Sequence, residues 1–199
     1  RSPEAGGLVI PRLLIATKNT GKLQEMEAIL RGMGLAEELV TGLDLPDVDE
    51  VGETLEENAI LKARTAAEAT GLPALADDTG LEVDHLGGAP GVHTARYAGP
   101  DATFDDNMDK LLRELEGVDD RSARFVTVVA LAFPDGEYVT AEGVVAGRIA
   151  EQRRGETGFG YDPVFEIDGR TYAEMSAEEK NRFSHRARAL AELGRTLGL

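Results

Sequence analysis

The spacing of apolar residues predicts that the chain begins with a strand, a loop and a helix. Residues 13–17 form a short apolar run, and residues 18–22 form a polar loop. Apolar residues then recur at the intervals of a helix face, at Leu23, Met26, Leu30 and Met33. Gly32 and Gly34 indicate where this helix ends.

The middle of the chain predicts a second helix and a broken strand. Thr54 followed by Glu57 is a capping-box pattern, and we expect the helix it starts to run to about Ala69. Residues 74–86 have the apolar character of a strand, and the polar residues 77–80 predict an interruption in it.

The second half of the chain predicts a helix, a hairpin and a terminal helix. A helical pattern covers residues 104–115, and two β-rich runs at 124–133 and 137–149 are joined by a Pro-Asp-Gly turn. The terminal helix has leucines on one face, at Leu190, Leu193 and Leu197. Helices and strands alternate first and a hairpin follows, which predicts an α/β fold with a mixed sheet.

Length and composition predict a single domain. A chain of 199 residues can bury its own core, so we assign residues 13–199 to one domain and residues 1–12 to a loose N-terminal extension. The sequence has no cysteine, no apolar run of about 18 residues and nothing that resembles a signal peptide. These features predict a cytoplasmic protein.

The net charge of the chain disfavours two classes of binding partner. With 21 basic and 37 acidic residues, the formal net charge is -16, which repels a nucleic-acid backbone and an anionic membrane. We therefore expect neither as a partner. The same charge repels a small polyphosphate unless basic side chains gather locally or a cation bridges the two, so the basic clusters are candidate phosphate sites.

Two motifs are candidates for holding a phosphate and a metal ion. Residues 17–22 lie between a strand and a helix, where backbone N–H groups favour an anion, but they lack the Walker A pattern, and such a segment is more often an ordinary turn. Asp77 and Asp78 are adjacent carboxylates, which can hold Mg²⁺ or poise a water. Strand alternation points them in opposite directions, so one could face a site while the other closes a turn, and a plain polar turn is the alternative.

Two further motifs could contact a base. Residues 158–162 place two aromatic rings in a glycine-rich loop of a chain that is 5% aromatic, and such rings stack on bases or cover a core. The densest basic cluster, residues 180–188, includes Ser184 as a candidate N-cap, after which His185 and Arg186 would direct donors at an acceptor. The alternative is a solvated face paired with nearby glutamates. No zinc-ligand spacing or nucleophile motif is present, which leaves attack by water as the hydrolytic chemistry.

Taken together, the motifs resemble the Ham1-type inosine triphosphate pyrophosphatase family. The resemblance runs from Leu13 to about Leu193. It is carried by TKNTGK at 17–22, ENA at 57–59, KA at 62–63, ADDTGL at 76–81, GAPG at 88–91, ARYAG at 95–99, GFGYDP at 158–163, AEM at 173–175, EKN at 179–181 and SHR at 184–186. It implies an elongated mixed sheet flanked by helices, with two lobes and a central nucleotide cleft. It also implies a homodimer and a Mg²⁺-dependent cut between the α- and β-phosphates of ITP, dITP or XTP, which cleanses the nucleotide pool.

The resemblance also implies roles for particular residues. Asp78 would be the general base and, with Glu50, a metal ligand, while Lys62 would face the phosphates as a second catalytic residue. The triphosphate would be held by Thr17, Lys18, Asn19, Thr20, Gly21 and Lys22. The remaining substrate contacts would come from Thr79, Phe159, Gly160, Tyr161, Asp162, Lys180, His185 and Arg186. Lys180, His185 and Arg186 would read the 6-oxo edge of the purine.

Two positions depart from the pattern usual in that family. Thr79 replaces a serine but keeps the hydroxyl, whereas His93 changes the local contact. Two other functions remain as alternatives: a Maf-like nucleotide pyrophosphatase with a different base preference, and a regulatory module that binds nucleotide without turnover.

Overall fold

A computed structural model of the chain describes residues 8–199. The helices are α1 (Thr20–Met33), α2 (Leu55–Thr70), α3 (Phe104–Glu114), α4 (Ala177–Asn181) and α5 (His185–Thr196). The strands are β1 (Ile10–Ile15), β2 (Ala36–Val40), β3 (Ala74–Val83), β4 (Pro90–Gly91), β5 (Ser122–Ala132), β6 (Tyr138–Ile149), β7 (Phe165–Ile167) and β8 (Arg170–Thr171). Within residues 8–199, no helix is both long and apolar enough to cross a membrane.

The eight strands form one mixed sheet. Their order is β2-β1-β3-β5-β6-β7-β8, and β4 pairs with β3. β1 pairs in parallel with β2 and β3, whereas the pairs β3–β4, β6–β7 and β7–β8 are antiparallel. The predicted α/β fold with a mixed sheet flanked by helices is confirmed. The cleft between two lobes and the assignment of residues 13–199 to one domain stay predictions.

The described chain divides into two compact units. The first comprises residues 8–78, 127–143 and 186–199, and the second comprises residues 79–126 and 144–185. The core of the first unit packs α1 and α5 with β1 and β3, through Leu13, Ile15, Met26, Leu30, Leu75, Leu190 and Leu193. The core of the second unit packs α3 with β3, β5, β6 and β7, through Leu81, Leu111, Phe125, Val145, Phe165 and Tyr172.

The ends of α1 and α2 follow from local capping. The Asn19 side chain accepts from Lys22 N at 3.1 Å, so α1 begins at Thr20 rather than at the predicted Leu23, and Gly34 ends it with a left-handed φ of 70°. The predicted capping box of Thr54 and Glu57 is present at the start of α2. Because α1 begins early, Lys22 lies in its first turn rather than in a loop.

Two strand predictions were wrong. β1 begins at Ile10, so residues 10–12 belong to the sheet and not to the N-terminal extension; residues 1–7 of that extension lie outside the described residues. β3 is continuous through residues 77–80, where a break was predicted. The pattern suggested a turn because buried carboxylates are rare, but cationic side chains pair with Asp77 and Asp78 and allow the strand to bury them.

Candidate active site

Charged side chains from four elements and one loop meet in the first unit. The charged cluster, as we call it, consists of Lys22 and Glu25 on α1, Glu50 before α2, Lys62 on α2, Asp77 and Asp78 on β3, and Arg186 on α5. Buried charges are stable only when opposite charges or hydrogen bonds compensate them, so each charge of this cluster needs an opposite charge beside it.

Asp77 organises one half of the charged cluster. Its Oδ2 accepts from Arg186 Nη2 at 3.0 Å and Nε at 3.3 Å, and lies 3.3 Å from Lys22 Nζ. Arg186 also donates through Nη1 to Glu25. Burial alone would raise the pKa of Asp77, but the charges of Lys22, Arg186 and Lys62 lower this pKa well below its ordinary value. Asp77 is therefore a permanent anion.

Asp78 organises the other half with Lys62 and Glu50. Lys62 Nζ lies 3.2 Å from Asp78 Oδ1 and 3.2 Å from Glu50 Oε1. Burial raises the pKa of Asp78, and Lys62 offsets this only in part. The second oxygen, Asp78 Oδ2, is buried and has no hydrogen-bond partner among residues 8–199. A buried carboxylate oxygen in this state can accept from a water or bind a cation.

The two lysines of the charged cluster have opposite pKa shifts. Burial lowers the pKa of Lys22 below its ordinary value despite the opposing charge of Asp77. Burial also acts on Lys62, but the charges of Asp78, Asp77 and Glu50 outweigh it and raise the pKa of Lys62. Lys62 therefore stays cationic beside the carboxylate it contacts.

The loop before α1 presents polar groups next to a pocket. Asn19 N donates to Thr17 Oγ1 at 3.2 Å, and Lys18 is exposed and pairs with Asp47. A pocket of about 530 Å³ adjoins this loop, with walls formed by Ile15, Thr17, Lys18, Leu23, Gly42, Leu43, Asp44 and Leu45. None of the residues of the charged cluster lines this pocket.

A different environment surrounds the candidate base-contacting residues in the second unit. The aromatic cluster, as we call it, consists of Phe125, Phe159, Asp162, Tyr172, Lys180 and His185. Lys180 Nζ donates to Asp162 Oδ2 at 2.6 Å and lies 5.0 Å from the ring centres of both Phe159 and Tyr172. The His185 ring stacks on Phe125 with centroids 4.4 Å apart. One buried ion pair is thus held among rings.

Asp162 shapes the glycine-rich loop. Its Oδ2 also accepts from Phe159 N at 3.0 Å, which closes the loop over the carboxylate. At Gly158, φ is 77° and a Cβ would lie 2.0 Å from Asp162 Oδ2, so only glycine fits there. Tyr161 is buried, and its hydroxyl donates to the Thr94 carbonyl at 2.8 Å. Tyr161 therefore supports the loop from the core side.

The basic cluster at 180–188 separates into buried and exposed members. Arg182 is exposed and pairs with Glu178 at 2.6 Å, as the alternative of a solvated face predicted. Lys180, His185 and Arg186 are instead 4%, 3% and 1% exposed. Lys180 and His185 belong to the aromatic cluster, whereas the guanidinium of Arg186 bonds to Asp77 and Glu25 in the first unit. The structure thus places the Arg186 guanidinium with these two carboxylates.

Some residues of the two clusters were not predicted from the sequence, and the remaining predicted residues differ in how far they are buried. Glu25, Phe125 and Tyr172 were not predicted as site residues. A carboxylate beside Met26 on the buried face of α1 is a signal for Glu25, because an acidic residue there needs a cationic partner. Of the remaining predicted residues, Gly21, Thr79 and Gly160 are half-buried and Thr20 is exposed.

Comparison with known proteins supplies an independent test. The sequence profile of the Ham1 family matches residues 13–196. The dITP/XTP pyrophosphatase of Bacillus licheniformis is 50% identical over 192 residues, covering 93% of this chain and 97% of that protein. The dITP/XTP pyrophosphatase of Elusimicrobium minutum is 50% identical over 195 residues, covering 94% and 99%. A solved HAM1 protein from Coxiella burnetii superposes with a TM-score of 0.83 at 44% identity, covering 94% and 98% of the two chains.

Proposed function

The chain belongs to the Ham1 family, and we propose from this premise that it hydrolyses ITP, dITP and XTP to the nucleoside monophosphate and pyrophosphate. Its curated relatives are named dITP/XTP pyrophosphatases, so the chain is a hydrolase acting on the anhydride bonds of noncanonical purine nucleoside triphosphates. This membership favours neither a Maf-like enzyme nor a binding module without turnover. The finer points below concern how the described residues perform the reaction.

The buried Asp78 Oδ2 is the observation that carries the proposed chemistry. This oxygen has no hydrogen-bond partner among the described residues, while Lys62 holds the other oxygen. The raised pKa of Asp78 makes it a stronger base than an exposed aspartate. Asp78 therefore accepts a proton from the attacking water. The water oxygen bonds to the α-phosphorus, the bond from that phosphorus to the α,β-bridging oxygen breaks, and pyrophosphate leaves.

A divalent cation fits the same carboxylates. Asp78 and Glu50 converge on Lys62, and Mg²⁺ in nucleotide sites is commonly held by one or two carboxylates together with substrate phosphates and water. Within residues 8–199, no group of three or more potential metal-ligating side chains is found, so phosphate oxygens would complete the coordination. When bound, Mg²⁺ adds positive charge that stabilises the transition state.

The cationic side chains of the first unit suit the triphosphate. Lys22 and Lys62 offset the negative charge of the phosphates in a chain whose formal net charge is -16. Asn19 fixes the first turn of α1, where the helix dipole adds to the charge of Lys22. Thr17, Lys18, Thr20 and Gly21 complete the loop that we assign to the triphosphate.

The aromatic cluster suits the base. Lys180 and His185 offer donors to the 6-oxo group of hypoxanthine or xanthine, and Phe159 offers a ring for stacking. Adenine presents an amino group at the same edge and would leave buried donors without an acceptor, which penalises ATP. Thr79, Gly160 and Asp162 complete this part of the substrate site, with Asp162 orienting Lys180.

We revise the role of Arg186 in this proposal. Its guanidinium donates to Asp77 and Glu25, and the side chain is 1% exposed. Three of its N–H groups are thus directed at two carboxylates, which favours a role in holding the charged cluster over a role in reading the base. We therefore assign Arg186 to holding Asp77 and Glu25 in place.

The resemblance to Ham1 proteins also underlies two proposals beyond the site. We propose that the protein acts as a homodimer, which sedimentation of the purified chain tests directly. We further propose that it acts in the cytoplasm, where the nucleotide pool that it would cleanse is found.

Product analysis tests the proposed reaction. The protein is incubated with Mg²⁺ and ITP, dITP, XTP or ATP in ¹⁸O-labelled water, and phosphate products are separated. We expect pyrophosphate from the first three substrates, little turnover of ATP, and the label in the monophosphate. Orthophosphate as the first product, or label in pyrophosphate, would contradict attack at the α-phosphorus. Asp78→Asn is the matched control for a contaminating phosphatase.

A further inference from the structure

Phe104 is an exposed aromatic residue that contacts the glycine-rich loop of the second unit. It is the first residue of α3 and is 49% exposed, although burial normally stabilises a phenylalanine side chain. Its ring lies 6.4 Å from the ring of Phe159, with an interplanar angle of 45°. This separation and tilt are within the range of attractive aromatic pairs. Phe104 therefore contacts the ring that we assign to base stacking.

The backbone before Phe159 is fixed independently of Phe104. Glu156 N and Thr157 N donate to the Ala173 carbonyl at 3.0 and 3.1 Å. At Gly155, a Cβ would lie 2.2 Å from the same carbonyl oxygen, so the two backbones approach more closely than any other residue allows. These contacts hold the main chain of the loop but leave the orientation of the Phe159 ring to its side-chain neighbours.

A second link joins this loop to α3. Arg153 donates to the Asp105 side chain at 2.6 Å, the Asp105 carbonyl at 3.0 Å and the Asp109 side chain at 2.5 Å. The capping box of Thr103 and Asp106 fixes the first turn of α3. The start of α3 is therefore tied to the segment that leads into the loop, through Arg153, and to the loop itself, through Phe159.

We propose that Phe104 is a positioning residue for base recognition, which orients the Phe159 ring against the purine. The proposal rests on the proposed function, because it assigns Phe159 to the base. The Phe104 ring packs against the Phe159 ring with centroids 6.4 Å apart, while Lys180 lies 5.0 Å from the centre of the Phe159 ring. Loss of the Phe104 ring frees Phe159 to rotate, and ordering it again on binding then costs free energy.

The first test compares substitutions at residue 104 by binding and by kinetics. Phe104→Ala should raise the Kd for IMP, measured by calorimetry, and the KM for ITP by ~2- to 12-fold, the scale of one aromatic pair. Its kcat and melting temperature should be unchanged, and Phe104→Tyr should restore both binding values. Tyr138→Ala is the matched control because Tyr138 is 48% exposed but lies in the first unit.

A double-mutant cycle separates positioning from direct contact. If Phe104 acts through Phe159, then Phe104→Ala should have no further effect on IMP binding in a Phe159→Ala background. An equal effect in both backgrounds overturns the proposal, and so does an unchanged Kd in Phe104→Ala alone. Arg153→Ala is a second variant and should raise the same Kd by weakening the link to α3. IMP binding needs no turnover, so a protein that binds IMP but releases no pyrophosphate would contradict the proposed function while leaving this test intact.

Discussion

The charged cluster and the aromatic cluster differ in composition and in the part of the substrate that we assign to each. The charged cluster holds four carboxylates and three cations that share partners in five ion pairs, and its buried Asp78 oxygen has no hydrogen-bond partner among the described residues. The aromatic cluster holds one buried ion pair, Lys180 with Asp162, among four rings. Phosphates are the same in every nucleoside triphosphate, whereas the base differs. We therefore expect the first cluster to set the rate for all substrates and the second to discriminate among them.

The largest effect should follow removal of the base in the charged cluster. Asp78→Asn keeps the size of the side chain but removes the charge that accepts a proton. We expect kcat for ITP to fall ~10²–10⁴-fold, the usual contribution of a general base. Steady-state kinetics at saturating Mg²⁺ measures this fall. Near-normal turnover would mean that Asp78 is a structural residue of β3.

A large loss of stability should follow removal of Arg186. Arg186→Met leaves Asp77 and Glu25 buried without this partner, and breaking such a pair typically costs about 3–5 kcal/mol of unfolding free energy. Activity that remains should fall equally for ITP and ATP, because Arg186 holds carboxylates and does not read the base. Urea unfolding and parallel assays with both substrates measure the two effects. A loss of activity with ITP alone would show instead that Arg186 takes part in base recognition.

A selective effect should follow a change in the aromatic cluster. Lys180→Met keeps the length of the side chain and removes the cationic donor, so kcat/KM for ITP should fall ~10- to 150-fold, the scale of a charge-assisted hydrogen bond. ATP should lose much less because it lacks the 6-oxo acceptor. Arg182→Met is the matched control, since Arg182 is exposed and pairs only with Glu178 among the contacts described above.

The smallest effect should come from ion pairs of the second unit outside the aromatic cluster. The hydrogen bond from Arg154, with help from Arg148, lowers the pKa of Glu166 below the ordinary 4.5. A lowered folded-state pKa stabilises the protein above pH 4.5, and this contribution is lost as the pH falls through the lower folded-state value. Glu166→Gln should therefore cost roughly 0.5–1 kcal/mol near neutral pH and progressively less below pH 4.5. Thermal melts across this range measure the difference, and an activity change at neutral pH would contradict a purely stabilising role.

The two clusters also differ in how far the sequence predicted them. The resemblance to the Ham1 family implied roles for Asp78, Lys62 and Glu50, and the structure brings these residues together through Lys62. The partners of Arg186 were not foreseen, because Glu25 and Asp77 lie 161 and 109 residues away from it in the chain. The continuity of β3 was also missed, since local propensity contains no information about the cations that neutralise its carboxylates. Periodicity predicted α1, α2 and α3, where burial of one helix face follows from spacing alone.

The most direct test of the separate roles of the charged cluster and the aromatic cluster is the ratio of kcat/KM for ITP to kcat/KM for ATP. This ratio is measured side by side in Asp78→Asn and Lys180→Met. In Asp78→Asn both values should fall together, so the ratio should stay within about threefold of the unmodified protein, since only an interaction common to both substrates is lost. In Lys180→Met the ratio should fall by at least about tenfold. A ratio that changes strongly in Asp78→Asn, or one that stays constant in Lys180→Met while both activities fall, would contradict the separation of phosphate chemistry from base recognition.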